Sequence, residues 1–314
     1  MKTKAMLLIW FMVLSGRGLA QTLTGYDNIV IGYDSDVGPM TSSILGGEEN
    51  EIPNAEDSFI GGGYENRILG ARSENSVVCG GYRNTILTNG CVIAGGYINE
   101  VGGYWSTIGG GYRNTNDSWI GTIGGGLRNR ATGPLATIPG GYEALAPSFG
   151  QVAHANGGFT LLALGEAQTS EFIARRTSTD SSETELLLNG DPGSDGYNFP
   201  AQRMIVPTDA TWVFDVMVIA RNANGECGAF RTNGAIKNVS GTVSLVGVPG
   251  GEIKARPVVQ EVPTWTVKVS ADNANKALAI KATGDTSTTR WVATIRTTEV
   301  SFAASNLRNR RLPR

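Results

Sequence analysis

The chain is poor in the side chains that most enzymes rely on. Its only histidine, His154, lies in an Ala-His-Ala context. A Ser-His-Asp triad would have to use it. No Gly-x-Ser-x-Gly elbow, phosphate-binding loop or metal-ligating histidine pair is present. A solvated or axial structural histidine is the expectation. The three cysteines, Cys79, Cys91 and Cys227, exclude a complete intramolecular disulfide framework. Val77-Val78-Cys79 and Cys91-Val92-Ile93 read as strand interiors, where cysteine acts as a small hydrophobe. No metal, no cofactor and no catalytic residue are therefore expected. A near balance of 26 basic and 28 acidic residues removes the electrostatic case for nucleic acid or an anionic membrane. Charged residues are only 17% and apolar ones 40%, which excludes wholesale disorder.

Apolar runs are short throughout. The longest, 5–14, follows Lys2 and Lys4 and precedes Gly18-Leu19-Ala20. It is below the ~20 residues a membrane helix needs and fits a signal peptide over 1–20, cleaved before Gln21.

Glycine, by contrast, is abundant: 43 residues, concentrated in the first half. It punctuates a repeat. Ser42-Ser43-Ile44-Leu45-Gly46-Gly47 is followed by Ser58-Phe59-Ile60-Gly61-Gly62-Gly63-Tyr64 and five further copies, the last Ala136-Thr137-Ile138-Pro139-Gly140-Gly141-Tyr142. A rougher copy lies at 28–33. Asn50, Asn66, Asn84, Asn99, Asn114 and Asn129 recur at spacings of 16, 18, 15, 15 and 15. A helical repeat needs ~33 residues, so fifteen allow only two short strands and two turns per coil. Parallel pairing adds ~4.8 Å per coil, which makes a rod of roughly 34 Å.

Side-chain alternation along each strand sets the columns. Ile44, Ile60, Val78, Ile93, Ile108, Ile123 and Ile138 are all apolar and β-branched and are expected to face inward. Ser43, Phe59, Val77, Val92, Thr107, Thr122 and Thr137 then face outward. Ile52, Ile68, Ile86, Val101, Asn116, Ala131 and Ala146 form a further column, and the asparagines a ladder of stacked amides. So thin a coil with apolar outer columns motivates association about a shared axis, with a homotrimer as the expected assembly and a monomeric solenoid with its second face wet as the alternative.

The Ser-x-Ile-Gly-Gly-Gly-Tyr-x-Asn pattern resembles the repeats of trimeric autotransporter adhesin heads, which implies a left-handed parallel β-roll. Gln151-Val152-Ala153-His154-Ala155-Asn156-Gly157-Gly158 is similar to a variant in phage tail-fibre shafts. The stretches 167–179 and 290–294 resemble a domain that follows such shafts in phage tail-fibre-like proteins. Two departures stand out. Ser301 to Arg314 holds none of the four strands of an autotransporter anchor, and phage fibres are made without a signal peptide.

After about residue 175 the repeat ends. Alternating segments at 183–188, 203–206, 212–220, 229–231, 242–246, 265–269, 277–282 and 291–297 predict an antiparallel β-sandwich or jelly roll. Trp212, Trp265 and Trp291 are expected in its core. Asp191-Pro192-Gly193-Ser194-Asp195-Gly196 lacks the spaced ligands and closing glutamate of a calcium loop and reads as a turn. The expected fold is all-β: signal peptide 1–20, solenoid shaft 21–166, sandwich-like domain 167–302, basic tail 303–314.

The functional expectation is an exported fibre, secreted or at the cell surface, non-enzymatic and binding a surface glycan or protein through its C-terminal domain. Loops at 189–198, 222–227 and 271–275 are the candidate contacts. The alternatives are a phage tail-fibre-like receptor-binding protein and a polysaccharide-degrading fibre with interface carboxylates. A crystal- or ice-binding face is argued against, because Thr107, Thr122 and Thr137 share their column with Phe59 and Val77.

Overall fold

A computed structural model describes residues 29–30, 36–37, 41–70, 73–160, 163–191, 193 and 196–302. The expected signal peptide and basic tail lie outside these residues. All secondary structure in the described residues is β, and no helix there is long and apolar enough to cross a membrane.

The repeat forms a parallel β-solenoid of about seven turns. One ladder pairs Ser43–Ile44, Phe59–Ile60, Val77–Val78, Val92–Ile93, Thr107–Ile108, Thr122–Ile123 and Thr137–Ile138 in order. The rough first copy joins it, with Ile29 opposite Ser43. The opposite wall runs from Asp36–Val37 through Glu51–Ile52 to Leu145–Ala146. The predicted inward column and the column from Ile52 to Ala146 are both completely buried within one chain. The core of the shaft thus closes without a partner, and the case for association rests on its outward columns.

Each coil turns at two corners. At the first, Gly63, Gly81, Gly96, Gly111 and Gly126 hold φ between +88° and +96°. A Cβ on Gly96 would overlap the Gly111 carbonyl oxygen of the next coil, so only glycine fits. The asparagine three residues on locks this corner. Asn99 Nδ2 donates to the Gly95 carbonyl at 3.1 Å and the Gly111 carbonyl at 3.0 Å. Its backbone N–H donates to Asn84 Oδ1 at 3.0 Å, continuing the amide ladder between coils. Losing one such buried amide leaves several groups unpaired and costs about 1–3 kcal/mol. Ala144 ends the ladder: its N–H still donates to Asn129 Oδ1 at 2.9 Å.

A second ladder runs beside it. Ser58 Oγ accepts the N–H of Ser76 at 3.2 Å and donates to the Ser73 carbonyl at 2.7 Å. Cys91 occupies the same column, buried, with its sulfur 3.2 Å from the Gly103 carbonyl. Burial pushes its thiol pKa up. Cys79 corrects the sequence reading. It lies just past its two-residue strand, at the corner, and is exposed.

Val152–Asn156 joins the two halves: it pairs parallel with the last coil and antiparallel with Ala167–Ser178. From there one sheet continues through Thr289–Ser301, Ala210–Asn222 and Cys227–Val239. A smaller antiparallel sheet covers it, ordered Glu183–Leu186, Ala277–Thr283, Thr266–Asp272 and Glu252–Lys254. Phe172, Phe214, Val216, Phe230, Val267, Ile280 and Ile295 fill the space between. The three tryptophans are in this core as expected: Trp265 and Trp291 pack at 5.4 Å, and Trp291 Nε1 donates to Ser178 Oγ at 2.9 Å.

All eight expected strands form, but three of them run for 13 residues. Ala167–Ser178, Glu252–Lys254 and Arg256–Gln260 are strands the sequence reading missed.

Candidate functional site

The second corner of the coils carries the most unusual side chains. Its column reads Asp57, Asn75, Gly90, Trp105, Ile120, Leu135 and Gly150, all with φ between 50° and 66°. Glycine suits that conformation, whereas a bulky residue there costs roughly 1–2 kcal/mol. Trp105 nevertheless occupies it and is 56% exposed. Its N–H donates to the Asn89 carbonyl at 3.0 Å, so the corner ladder holds the strained residue in place. The ring lies over Gly90, where a Cβ would overlap it.

From Trp105 a row of aromatic rings crosses to the other half. Tyr104 lies on one side at 6.3 Å between centroids and Trp119 on the other at 6.3 Å. Trp119 meets Tyr197 edge-on at 4.6 Å and Phe199 at 5.4 Å. Phe149 completes the row, 5.7 Å from Phe199. Tyr104, Trp105 and Tyr197 are exposed, while Trp119, Phe149 and Phe199 are half-buried and anchor the row. Two residues before Trp119, Asp117 forms an ion pair with Arg130 at 2.8 Å. Exposed ring faces offer an apolar, electron-rich platform, and the neighbouring ion pair offers polar partners. That combination suits a ring-shaped ligand with one C–H face and many hydroxyls.

A second feature lies at the junction of the two halves. A cleft of about 230 Å³ is walled by Leu145, Pro147, Leu164, Pro207 and Trp212. Glu299 is its only ionisable lining residue. Thr297 Oγ1 donates to Glu299 Oε1 at 2.6 Å, and Gln168 Nε2 donates to Oε2 at 2.8 Å. Burial raises the Glu299 pKa, and these neutral partners offset it only in part. Gln168 also bridges to the last coil, accepting from Leu145 N–H at 3.0 Å and donating to its carbonyl at 3.0 Å.

Glu166 sits two cross-strand pairs away, its carbonyl accepting from the Ser301 N–H at 3.0 Å. Its carboxylate accepts from the N–H groups of Phe159 and Thr160, at 2.7 and 2.8 Å, and from the Thr160 hydroxyl at 2.7 Å. Burial opposes the charge, but these bonds outweigh it and hold the carboxyl below its usual range.

Of the three expected contact loops, the structure brings only 189–198 to a site, through Tyr197. The 222–227 turn is closed on itself by Asn222 Oδ1, which accepts from the N–H groups of Asn224 and Glu226. Asp272 closes the 271–275 turn in the same way. His154 is exposed on the connecting strand, apart from the aromatic row. Trp105 and Trp119 were not singled out in the sequence, because the second corner has no consensus. Their one signal was an aromatic side chain at a corner where the neighbouring coil, at Gly90, carries glycine.

No protein-family model and no curated protein matches the chain. Solved structures that align with it include two phage tailspikes. One is the tailspike protein gp49 of Acinetobacter baumannii bacteriophage Fri1, described as a capsular polysaccharide depolymerase. It is 9% identical, with 88% of this chain and 55% of that one covered and a TM-score of 0.25. The other is the tailspike protein of Acinetobacter phage vB_ApiP_P1, 9% identical, with 86% and 58% covered and a TM-score of 0.22. The chain thus spans under three-fifths of either tailspike. The expectation of a non-enzymatic protein is corrected on this finding: the first of these tailspikes is described as a depolymerase. The autotransporter resemblance finds no family match.

Proposed function

We propose that the chain is a tail-fibre-like receptor-binding protein that acts outside the producing cell as a homotrimer, and that it engages and cleaves a surface polysaccharide. The observation that carries the reading is the exposed aromatic row from Tyr104 to Tyr197, held in part by a strained backbone. Core packing does not require Trp105 at that corner, whereas a sugar platform does. The side-chain geometry at Glu299 favours cleavage. Glycoside hydrolysis needs a carboxyl kept protonated and a second carboxylate, and Glu299 suits the first role. Glu166 is saturated by its own loop, so this reading calls for a second carboxylate from a neighbouring copy.

The test is retention of the full protein on a panel of capsule-bearing bacteria, with release of new reducing ends as the second readout. Trp105→Ala with Trp119→Ala should weaken retention about tenfold, from ring contacts of roughly 0.5–1.5 kcal/mol each. Glu299→Gln should keep retention and abolish reducing-end release. Unchanged retention in the double variant would remove the glycan reading.

A further inference from the structure

A groove of about 490 Å³ lies where Cys227–Val239 meets the Glu252–Lys254 and Arg256–Gln260 strands. Three cations line it, Arg231, Lys254 and Arg256, and no carboxylate does. Arg231 is engaged from the side by Asp215, through bonds of 3.1 and 2.9 Å. Among the described residues Lys254 and Arg256 form no ion pair. The nearest acid in the sequence, Glu252, is engaged by Lys268 at 3.3 Å. Unpaired cations in one concavity are notable in a chain of net charge -2. Thr232 and Asn233 add hydroxyl and amide groups, and Ile253 and the 65% exposed Val258 add apolar surface.

We infer that this groove binds carboxylate-bearing sugar units of an acidic polysaccharide, of the uronic-acid class. A planar carboxylate matches the guanidinium fork of Arg256, with the Lys254 ammonium as a second donor. Sugar hydroxyls meet Thr232 and Asn233, and the C–H face of the ring lies on Val258. The groove has no aromatic residue on which a nucleobase would stack. The inference extends the proposed function by giving the charge class of the glycan, and it rests on that reading. The groove and the aromatic row involve different residues, so the two fail separately.

The experiment measures binding of the full chain to hexagalacturonate, to neutral maltohexaose and to a short DNA duplex, at low and high salt. Hexagalacturonate should bind best, and more weakly as salt rises. Lys254→Ala with Arg256→Ala should weaken it about tenfold or more, as loss of charge-assisted bonds implies, and leave the thermal melt unchanged. Trp105→Ala, which removes part of the aromatic platform, should weaken both oligosaccharides and still leave hexagalacturonate bound in preference to maltohexaose. No binding of hexagalacturonate, equal binding of maltohexaose, or tighter binding of DNA would each overturn the inference. If the groove variant binds normally and the tryptophan variant does not, the groove fails and the aromatic platform stands.

Discussion

Glu299 shows how one side chain couples a site to stability. Its pKa in the folded chain is raised by burial, so the protonated form is the one the fold favours. The stabilisation is complete below the unfolded value of ~4.3 and is lost as pH rises through the folded value. Glu299→Gln removes that loss. The variant and the parent should melt together in acid, and the variant should melt progressively higher as pH rises. Parallel melting curves at every pH would show that Glu299 is not the buried acid of the junction. Single residues of this kind were hidden in the sequence. Glu299 lies in a polar run, Arg296-Thr297-Thr298-Glu299, that reads as solvated. It is buried between Gln168 and Trp212, which lie opposite it on two strands distant in sequence. The same buried polar residues, Gln168 and Ser170, masked the alternation of Ala167–Ser178.

At the level of the coil, the inward isoleucines and the asparagines were legible because each column repeats one chemistry in every turn. The second corner was not, because its residues change from coil to coil and share only a backbone angle. That angle gives a specific expectation for Gly90. Alanine there would place a Cβ against the Trp105 ring at a φ of 66°. Gly90→Ala should therefore displace the ring, cost roughly 1–2 kcal/mol of stability, and reduce glycan retention without touching any ring chemically. Retention equal to the parent would mean that the position of Trp105 is immaterial. Gly150→Ala is the matched control: it has the same left-handed strain, at 61°, with nothing near its Cβ.

For the whole molecule, the outer face of the long sheet carries the strongest argument for association. Register sets Ile219 beside Val292, and Thr294 between Met217 on one side and Ile173 on the other. Ile173, Met217, Ile219 and Val292 are exposed together on one face of the sheet, and contiguous exposed apolar side chains mark an interaction surface. Light scattering should give about three times the chain mass of 33.1 kDa, and Met217→Glu with Ile219→Glu should give single chains that keep the β-rich circular dichroism spectrum. A folded parent monomer at micromolar concentration would remove the trimer.

The hydrogen bonds between coils have a mechanical consequence. They point from one turn to the next, along the rod, and each turn holds its neighbour through only a few of them at each wall and corner. A pull along the rod therefore loads one turn at a time, as a coiled tape pays out from its end. Each released turn of fifteen residues would add about 50 Å of slack at ~3.4 Å per residue. A fibre held at both ends would lengthen in steps and lower its tension with each one, while sideways bending meets every wall at once.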